Sequence, residues 1–494
     1  MLGPLVALAL RAEGWSGLTP RDWDAIWFTI WQAAASAGLS VLLAIPVARA
    51  LARRQFAGRG AVVLLLGAPF ILPVIVAILG LVAVFGRSGP ISVALGWAGL
   101  EPLSIYGPQG VILAHVFFNM PLATRLILQG WLAIPGERLR LAASLDVQAR
   151  DMFWLLEWPM LRAVVPGIFV VIFLICTTSF AVALALGGGP RSTTVELAIY
   201  QAFRFDFDLS RVAILGAAQL VLAGIAAALS LRLAVPSAFG AGLDRAVRRW
   251  DSDGPALRIQ DTLAVILACA FLLTPLGLMA AQGIGGLTTL PSAVWDATLR
   301  SLLVALSAAV MTTGLALALA LAAIGRGGGW IEVIGTLSVA ASPLVLGVGL
   351  YILVLPVANP VALALPITAL INTIFALPFA LRAILPAMRD VERDFGRLSR
   401  TLGISGLAWL RLVALPRLRR PAGFAAGLTA ALAAGDLGVI TLFGAPEGGT
   451  LPLVLYQLMG SYRLEEAKAA ALILIALSLG LFWLFEGGGR RAAS

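Results

Sequence analysis

The chain has 494 residues, of which 60% are hydrophobic and only 12% are charged, a balance that excludes an ordinary soluble domain and predicts a polytopic membrane protein. The formal net charge of +10 does not indicate nucleic-acid binding, because the arginines flank apolar segments, where positive charge sets the orientation of membrane helices. Two cysteines and one histidine, without metal-ligand spacing, predict neither a disulfide framework nor a metal site.

Apolar runs long enough to cross about 30 Å of hydrocarbon follow one another along the whole chain. A run at 2–10, too short to span, comes first. Five predicted spans follow, then a charged linker at 237–258, then six more spans. The predicted spans are 25–50, 61–86, 109–133, 163–187, 210–233, 261–283, 296–324, 331–356, 363–388, 421–444 and 467–487. The predicted fold class is therefore all-α.

The two halves of the chain are predicted to be internal repeats. HVFFNMPLATR at 115–125 matches NTIFALPFALR at 372–382, at an offset of 257 residues (372−115). Six spans per repeat are an even number, so we expect parallel rather than inverted copies. The predicted division is repeat 1 at 1–236 with a core at about 25–233, the linker at 237–258, and repeat 2 at 259–494 with a core at about 296–487.

The repeat leaves the first helix incomplete. Pro4 matches Pro275, which lies well inside the predicted span at 261–283, so residue 1 corresponds to the middle of a helix. We expect either that the first helix is truncated in this member or that the true start of the protein lies upstream.

The clearest repeated feature is a pair of polar segments between spans, Arg138–Pro159 and Arg393–Pro416. In each, the pattern predicts a short polar helix, a turn, and a second short helix ending in proline. The turn is expected at Asp146 and at Gly403, since both residues tolerate positive φ better than most. Such a helix pair is suited to enter a groove on a soluble partner; the alternative is two amphipathic helices lying on anionic lipid.

The arginines predict that both segments are cytoplasmic. Arginines are concentrated in the loop at 51–60, in the linker, and in the motif segments with the residues that follow them, up to Arg162 and Arg420, which together carry 18 of the 34. The loop at 284–295, in contrast, carries no charge. The single lysine, Lys468, lies between two alanines, so the chain has no phosphate-binding Gly-Lys-Ser/Thr loop of its own. No catalytic residue is predicted.

The paired segments resemble the cytoplasmic coupling loop of ABC importer permeases, whose consensus runs Glu-Ala-Ala, three residues, Gly, nine residues, Ile-x-Leu-Pro. The segments at that spacing are Arg140-Leu141-Ala142, Asp146 and Leu156–Pro159 in the first half, and Arg397-Leu398-Ser399, Gly403 and Val413–Pro416 in the second. Arg140 and Arg397 depart from the consensus, since they stand where it has Glu. LAASLD followed by EWP, in a fused two-repeat chain, is most similar to the thiamine permease branch.

The resemblance implies a type I ABC importer permease in the bacterial inner membrane, with thiamine or its phosphates as substrate. It implies two copies of a separate ATP-binding subunit on the cytoplasmic side and a periplasmic or extracellular substrate-binding protein on the other. ATP hydrolysis is expected in the separate subunit, so neither enzymatic activity nor a cofactor is expected in this chain. The residues implied to dock the ATP-binding subunits are Arg140, Leu141, Ala142, Ala143, Leu145, Asp146, Pro159, Arg397, Leu398, Ser399, Leu402, Gly403 and Pro416.

Asp436, in the sequence GDLG, is a carboxylate deep in a predicted span. Such a group costs about 2.5–3.5 kcal/mol on insertion scales and commonly faces a pathway. Its repeat mate is Ser179, so both residues are candidates for the substrate pathway. The alternative is a structural Asp that satisfies a helix break.

Other functions stay open at this point. Within the same family, the chain could be a permease for ferric iron, a polyamine or another small ion. From a different class, an ion-driven secondary transporter would explain the spans and Asp436, but it needs no paired cytoplasmic loops and commonly has inverted repeats. An intramembrane enzyme is not favoured, because no nucleophile–base pair is visible in the sequence.

Overall fold

The computed structural model of the chain describes residues 2–11, 17–145, 147–233, 254–324, 342–443 and 448–491. The α-helices in these ranges are α1 Leu2–Arg11, α2 Pro20–Arg53, α3 Arg59–Leu65, α4 Val74–Phe85, α5 Pro90–Trp97, α6 Pro108–Leu132, α7 Gly136–Ser144, α8 Ala149–Met152, α9 Trp158–Thr177, α10 Ala181–Leu186, α11 Val195–Arg204, α12 Leu209–Arg232, α13 Pro255–Gly283, α14 Ser292–Ile324, α15 Pro343–Val354, α16 Ala364–Thr401, α17 Gly406–Trp409, α18 Leu415–Ala434, α19 Gly438–Phe443, α20 Leu451–Gly460 and α21 Leu464–Arg491. Ten helical segments of the described chain are long and apolar enough to cross a membrane, and no strand occurs there. The prediction of an all-α polytopic membrane protein is confirmed.

The long helix α2 begins at a well-defined cap. The backbone N–H and the hydroxyl of Thr19 donate to Asp22 Oδ2 at 2.9 and 2.6 Å, and Pro20 occupies the first turn, where its missing N–H is not needed. From there α2 packs along α6 through a stripe of alanines. Side chains this small let helix backbones approach closely, which is what drives helix packing in lipid.

Three of the predicted spans, 61–86, 163–187 and 421–444, are interrupted in the structure. The helix break that the sequence indicates at Asp436 is one of these interruptions. In the first, Pro69 and Pro73 lack the N–H that a continuous helix needs, and a 3₁₀ turn separates α3 from α4. The second and third are interrupted at matching places: α9 ends before α10 begins, and α18 ends before α19 begins.

The linker and the eighth predicted span are only partly described. Residues 237–253 of the predicted linker lie outside the described residues, and α13 begins at Pro255, before the predicted linker end at 258. Of the predicted span at 331–356, the part before residue 342 is likewise not described, and α15 begins at Pro343.

The first helix of each sequence half packs against the other half. α1 packs against α15, and α13 packs against α4. The two contacts are equivalent, because the backbone of Pro4 lies over Gly349 and that of Pro275 lies over Gly80. A Cβ on Gly80 would lie 2.8 Å from the Pro275 carbonyl oxygen, and one on Gly349 would overlap the Pro4 carbonyl in the same way.

A matching pair of hydrogen bonds joins each long helix to a later short one. The Thr29 hydroxyl on α2 accepts from the Val195 N–H at 2.9 Å, and the Ser301 hydroxyl on α14 accepts from the Leu451 N–H at 2.8 Å. Each bond satisfies a first-turn donor, of α11 and α20 respectively. A buried apolar cluster then joins α10, α11 and α12 to α15, α19 and α20, so the two sequence halves share one core.

Candidate functional site

The first motif loop, residues 138–159, contains the predicted short helix, α7. The prediction of a second short helix that ends in proline was wrong, because the helix that begins at Ala149 continues through Pro159 into the membrane. α7 is closed by a hydrogen bond from the Val147 N–H to the Ala142 carbonyl at 3.1 Å. The predicted turn residue of this loop, Asp146, lies outside the described residues. α8, a π-helical segment at Phe153–Glu157 and α9 follow.

The second motif loop, residues 393–416, turns in the same way. The Ile404 N–H donates to the Ser399 carbonyl at 2.8 Å, and Gly403 has φ of +69°. The prediction that the chain turns at Gly403 with positive φ is confirmed. The prediction of a short polar helix before it was wrong, because that helix is the end of the 38-residue α16. The first half has Pro135-Gly136 at this place and therefore starts a new helix, whereas the second half does not.

Both motif loops enter the following membrane helix through a π-helical segment, which the sequence analysis missed. The segments are Phe153–Glu157 and Leu410–Ala414, and each is closed by a bond from residue i to residue i−5, at Trp158 and at Leu415. The prolines that close the motifs, Pro159 and Pro416, are the physical reason: a proline ring clashes with the carbonyl four residues earlier, and a widened turn removes the clash.

Four leucines project from the two loops at matching positions. Leu141 and Leu145 are 61% and 67% exposed, and their repeat mates Leu398 and Leu402 are 56% and 64% exposed. In each loop the two leucines are four residues apart, so they lie on one face of their helix. The matching exposed pairs make these two surfaces candidates for contact with another molecule.

The other predicted docking residues divide into outward-facing and inward-facing groups. Arg140 and Arg397 are exposed, and Arg140 pairs with Glu137 on its own helix, at 3.1 Å. Ala143, Gly403 and Pro159 are exposed, whereas Ala142 and Pro416 are half-buried. Ser399 is buried, and its hydroxyl donates to the Phe395 carbonyl of the same helix at 2.9 Å. Its side chain therefore faces the interior and not the exposed surface.

The first motif loop is anchored by buried ion pairs. Glu157, fully buried in the π-helical segment, accepts from Arg49 Nε at 2.7 Å, and the Arg49 guanidinium also lies 5.2 Å from the centre of the Phe153 ring. One turn further along α2, Arg53 and the following Arg54 hold Asp261 of α13 at 2.6 and 2.8 Å. Sequence reasoning missed this cluster, because nothing local shows that the ends of α2, α9 and α13 meet.

Both motif loops lie at the same end of the helical bundle. α13 begins beside the first loop, where Asp261 joins the ion pairs, and runs to the other end. α14 returns after a 3₁₀ segment at Ile284–Thr289 and ends against the second loop, where Ala320 packs in one cluster with Ala414. The two surfaces can therefore be engaged from one side.

Asp436 lies in the interruption between α18 and α19, and Ser179 lies in the equivalent interruption between α9 and α10. Both side chains are half-buried. Asp436 Oδ1 accepts from the Gly438 N–H at 3.1 Å, and Oδ2 accepts from Asn372 Nδ2 on α16 at 3.3 Å. The carboxylate thus accepts a hydrogen bond from the backbone at the helix interruption, while its other oxygen faces α16. Asn372 is therefore a pathway candidate that the sequence analysis did not single out.

Comparison with known proteins decides the family, although no protein-family model matches the chain. The thiamine transport system permease protein ThiP of Brucella abortus is 40% identical over 508 residues, which cover 100% of this chain and 93% of that protein. ThiP of Escherichia coli K12 is 39% identical, with 97% of this chain and 94% of that protein covered. The chain belongs to the ThiP family of ABC transporter permeases. The resemblance drawn from the motif loops is thereby confirmed.

A more distant relative matches about half of this ThiP-family chain. The molybdenum transport system permease protein ModB of Mycobacterium bovis is 31% identical over 234 residues, which cover 44% of this chain but 86% of that protein. Nearly a whole permease protein thus corresponds to less than half of the ThiP-family chain.

Proposed function

We propose that this chain is the transmembrane subunit of an ATP-driven importer and that it moves thiamine across the bacterial inner membrane. The observation that carries the proposal is the likeness to ThiP proteins over the full chain, at 39–40% identity. The ten candidate spans supply the membrane part, and the paired motif loops supply a place for a partner to transmit work.

The chain is proposed to consist of two parallel permease repeats, 1–236 and 259–494, joined by the linker at 237–258. The matching contacts support this division: proline over glycine at the helix crossings, and a hydroxyl bonded to the first turn of a short helix. The two π-helical segments, at Phe153–Glu157 and Leu410–Ala414, also keep the offset of 257 residues (410−153).

The two motif loops are proposed to be cytoplasmic and to dock one copy each of a separate ATP-binding subunit. Their arginine content supports the orientation. The exposed leucine pairs support the docking, because an apolar helix face placed in a groove of a partner removes that face from water. Use of the same surface twice favours two copies of one subunit over two different partners. A substrate-binding protein is proposed to deliver the substrate at the opposite end of the bundle.

Asp436 and Ser179 are proposed to line the substrate pathway. Thiamine is a cation, and a carboxylate at a helix interruption can neutralise it in a region where water is scarce. The hydrogen bond from Asn372 supports this role, because it holds the Asp436 carboxylate towards α16, so that movement of α16 changes what the carboxylate meets. Alternating closure of the bundle at its two ends would then pass the cation across.

Reconstitution in proteoliposomes tests the proposal. The permease is combined with an ATP-binding subunit and a substrate-binding protein from the same organism. Uptake of radiolabelled thiamine is then measured with and without ATP on the side of the membrane that the motif loops face. ATP-dependent uptake that survives a proton ionophore supports the proposal. Uptake of ferric iron or a polyamine in place of thiamine would refute the substrate, and uptake driven by an ion gradient without the ATP-binding subunit would refute the class.

A further inference from the structure

The buried ion pairs around α2 form a continuous connection between parts of the chain that are distant in sequence. Glu157, at the start of α9, is held by Arg49 of α2 at 2.7 Å. Four residues later on α2, Arg53 holds Asp261 of α13 at 2.6 Å, with both side chains at most 3% exposed. Charged pairs in such surroundings are hardly screened by salt and are strongly directional.

The Arg49 side chain grips the π-helical segment at two points. Its Nε donates to Glu157 at one end of the segment, and its guanidinium lies against the Phe153 ring at the other end. The segment is the joint between the motif loop and the membrane helix α9. A π-helical turn is wider and less regular than an α-helical one. The contacts that Arg49 makes with this segment therefore decide whether it bends or transmits force.

The second half does not repeat the ion pair between Arg49 and Glu157. The repeat mate of Glu157 is Ala414 (offset 257) and that of Arg49 is Leu321 (offset 272), and both lie in one apolar cluster with Ala316 and Ala320 of α14. The difference is a property of this chain's two halves and is independent of the exposed leucines, which match.

We propose that Arg49, Glu157 and Asp261 are positioning residues that make the first motif loop, α2 and the start of α13 move as one body. The proposal rests on the proposed coupling function of the loops. Since α13 belongs in sequence to the second half, a displacement applied to the first loop reaches the second half through these pairs. The second loop has its own route, along the continuous α16.

Distance measurements by electron paramagnetic resonance test the proposal without any substrate. Labels are placed at Ser144→Cys on α7 and Gln260→Cys on α13, both exposed positions, in a Cys176→Ala/Cys269→Ala background. The permease is studied in nanodiscs, assembled with its ATP-binding subunits, with and without ATP and vanadate. The proposal expects one unchanged distance in both states. After Glu157→Gln, it expects a shift of about 5 Å, or a broad distribution, on trapping.

A second label pair separates failure of this proposal from failure of the proposed function. Ser144→Cys with Thr401→Cys reports the distance between the two loops. If ATP does not change that distance in the otherwise unaltered protein, the coupling function itself fails. If ATP does change it, but Glu157→Gln behaves like the unaltered protein in the first pair, only the positioning role is overturned.

The amount of thiamine moved per ATP hydrolysed provides a functional readout. Glu157→Gln is expected to lower it by about 2- to 30-fold, the range typical of residues that carry coupling between sites. The matched control is Asp390→Asn, which removes an exposed pair with Arg393 (3.0 Å) and is expected to change nothing.

Arg49→Lys provides a second variant should Glu157→Gln not assemble, because it retains the charge and loses the Nε donor. Arg49→Lys is likewise expected to lower the amount of thiamine moved per ATP hydrolysed. Normal coupling in either variant overturns the proposal. Failure of both to assemble, with Asp390→Asn normal, would make the pair a folding element and overturn it as well.

Discussion

The exposed fraction of each leucine in the motif loops gives the contribution that this leucine would make to the affinity for the ATP-binding subunit. Complete burial of a leucine side chain is worth about 1.5–3 kcal/mol. Leu145 and Leu402 are about two-thirds exposed, so covering either one recovers about 1–2 kcal/mol of that amount. Since 1.4 kcal/mol corresponds to a factor of ten in affinity, Leu145→Ala or Leu402→Ala is expected to weaken binding of the ATP-binding subunit by about 5- to 30-fold at the altered loop.

The assay is titration of the purified ATP-binding subunit onto the permease immobilised in nanodiscs. Each single variant is expected to leave one of two equal sites at its original affinity, whereas the double variant weakens both. Leu303→Ala is the matched control: it is 53% exposed on the membrane helix α14, where lipid instead of protein is expected to cover it. Unchanged binding by the double variant, or an equal effect of Leu303→Ala, would refute the docking role of the leucines.

Three further predictions follow from particular contacts. Gly403→Val forces a β-branched residue to φ of +69° and is expected to lower the free energy of unfolding by about 1–2 kcal/mol and to reduce co-purification of the ATP-binding subunit. The control Gly277→Val lies in a helix, where the added side chain meets open space, and is expected to change neither quantity. Equal behaviour of the two variants would contradict the turn geometry. Asp436→Asn is expected to lower thiamine uptake with assembly intact, and normal uptake would remove it from the pathway. Gly80→Ala places a Cβ 2.8 Å from the Pro275 carbonyl oxygen, and this overpacking is expected to lower the free energy of unfolding by about 1–3 kcal/mol, measured as a lower melting temperature. An unchanged melting temperature would show that the two helices are less tightly packed at this crossing.

Features governed by local rules could be predicted from the sequence. Membrane helices follow from apolar runs of sufficient length, and Gly403 takes positive φ because no other residue does so at so little cost. The exposed leucine pairs follow from the same motif that gave the resemblance. In these cases the physical cause lies within a few residues of its effect.

Features that depend on where helices meet could not be predicted in this way. Arg49 and Glu157 are 108 residues apart, and only the packing of α2 beside α9 makes their pairing necessary. The interruption after Ala434 falls at Asp436, where the sequence indicates a helix break, whereas the equivalent interruption after Thr177 was not predicted. The π-helical segments are a different case: Pro159 and Pro416 gave the signal, but they were interpreted only as the start of a membrane helix.

The two motif loops carry matching pairs of exposed leucines, but they are connected to the membrane core by different means. In the second half, Leu398 and Asn372 lie on one helix, α16, so about 26 residues and roughly 39 Å of continuous helix join the docking surface to the partner of Asp436. Pro378 within that helix is a place where it can bend. In the first half, the break at Pro135-Gly136 interrupts this route, and the motif loop is instead held to α2 by the buried Glu157. Two identical ATP-binding subunits would therefore act on the membrane core in different ways. In the second half the force passes along the continuous helix α16, whereas in the first half it passes through an interrupted connection whose stiffness depends on the ion pair between Arg49 and Glu157.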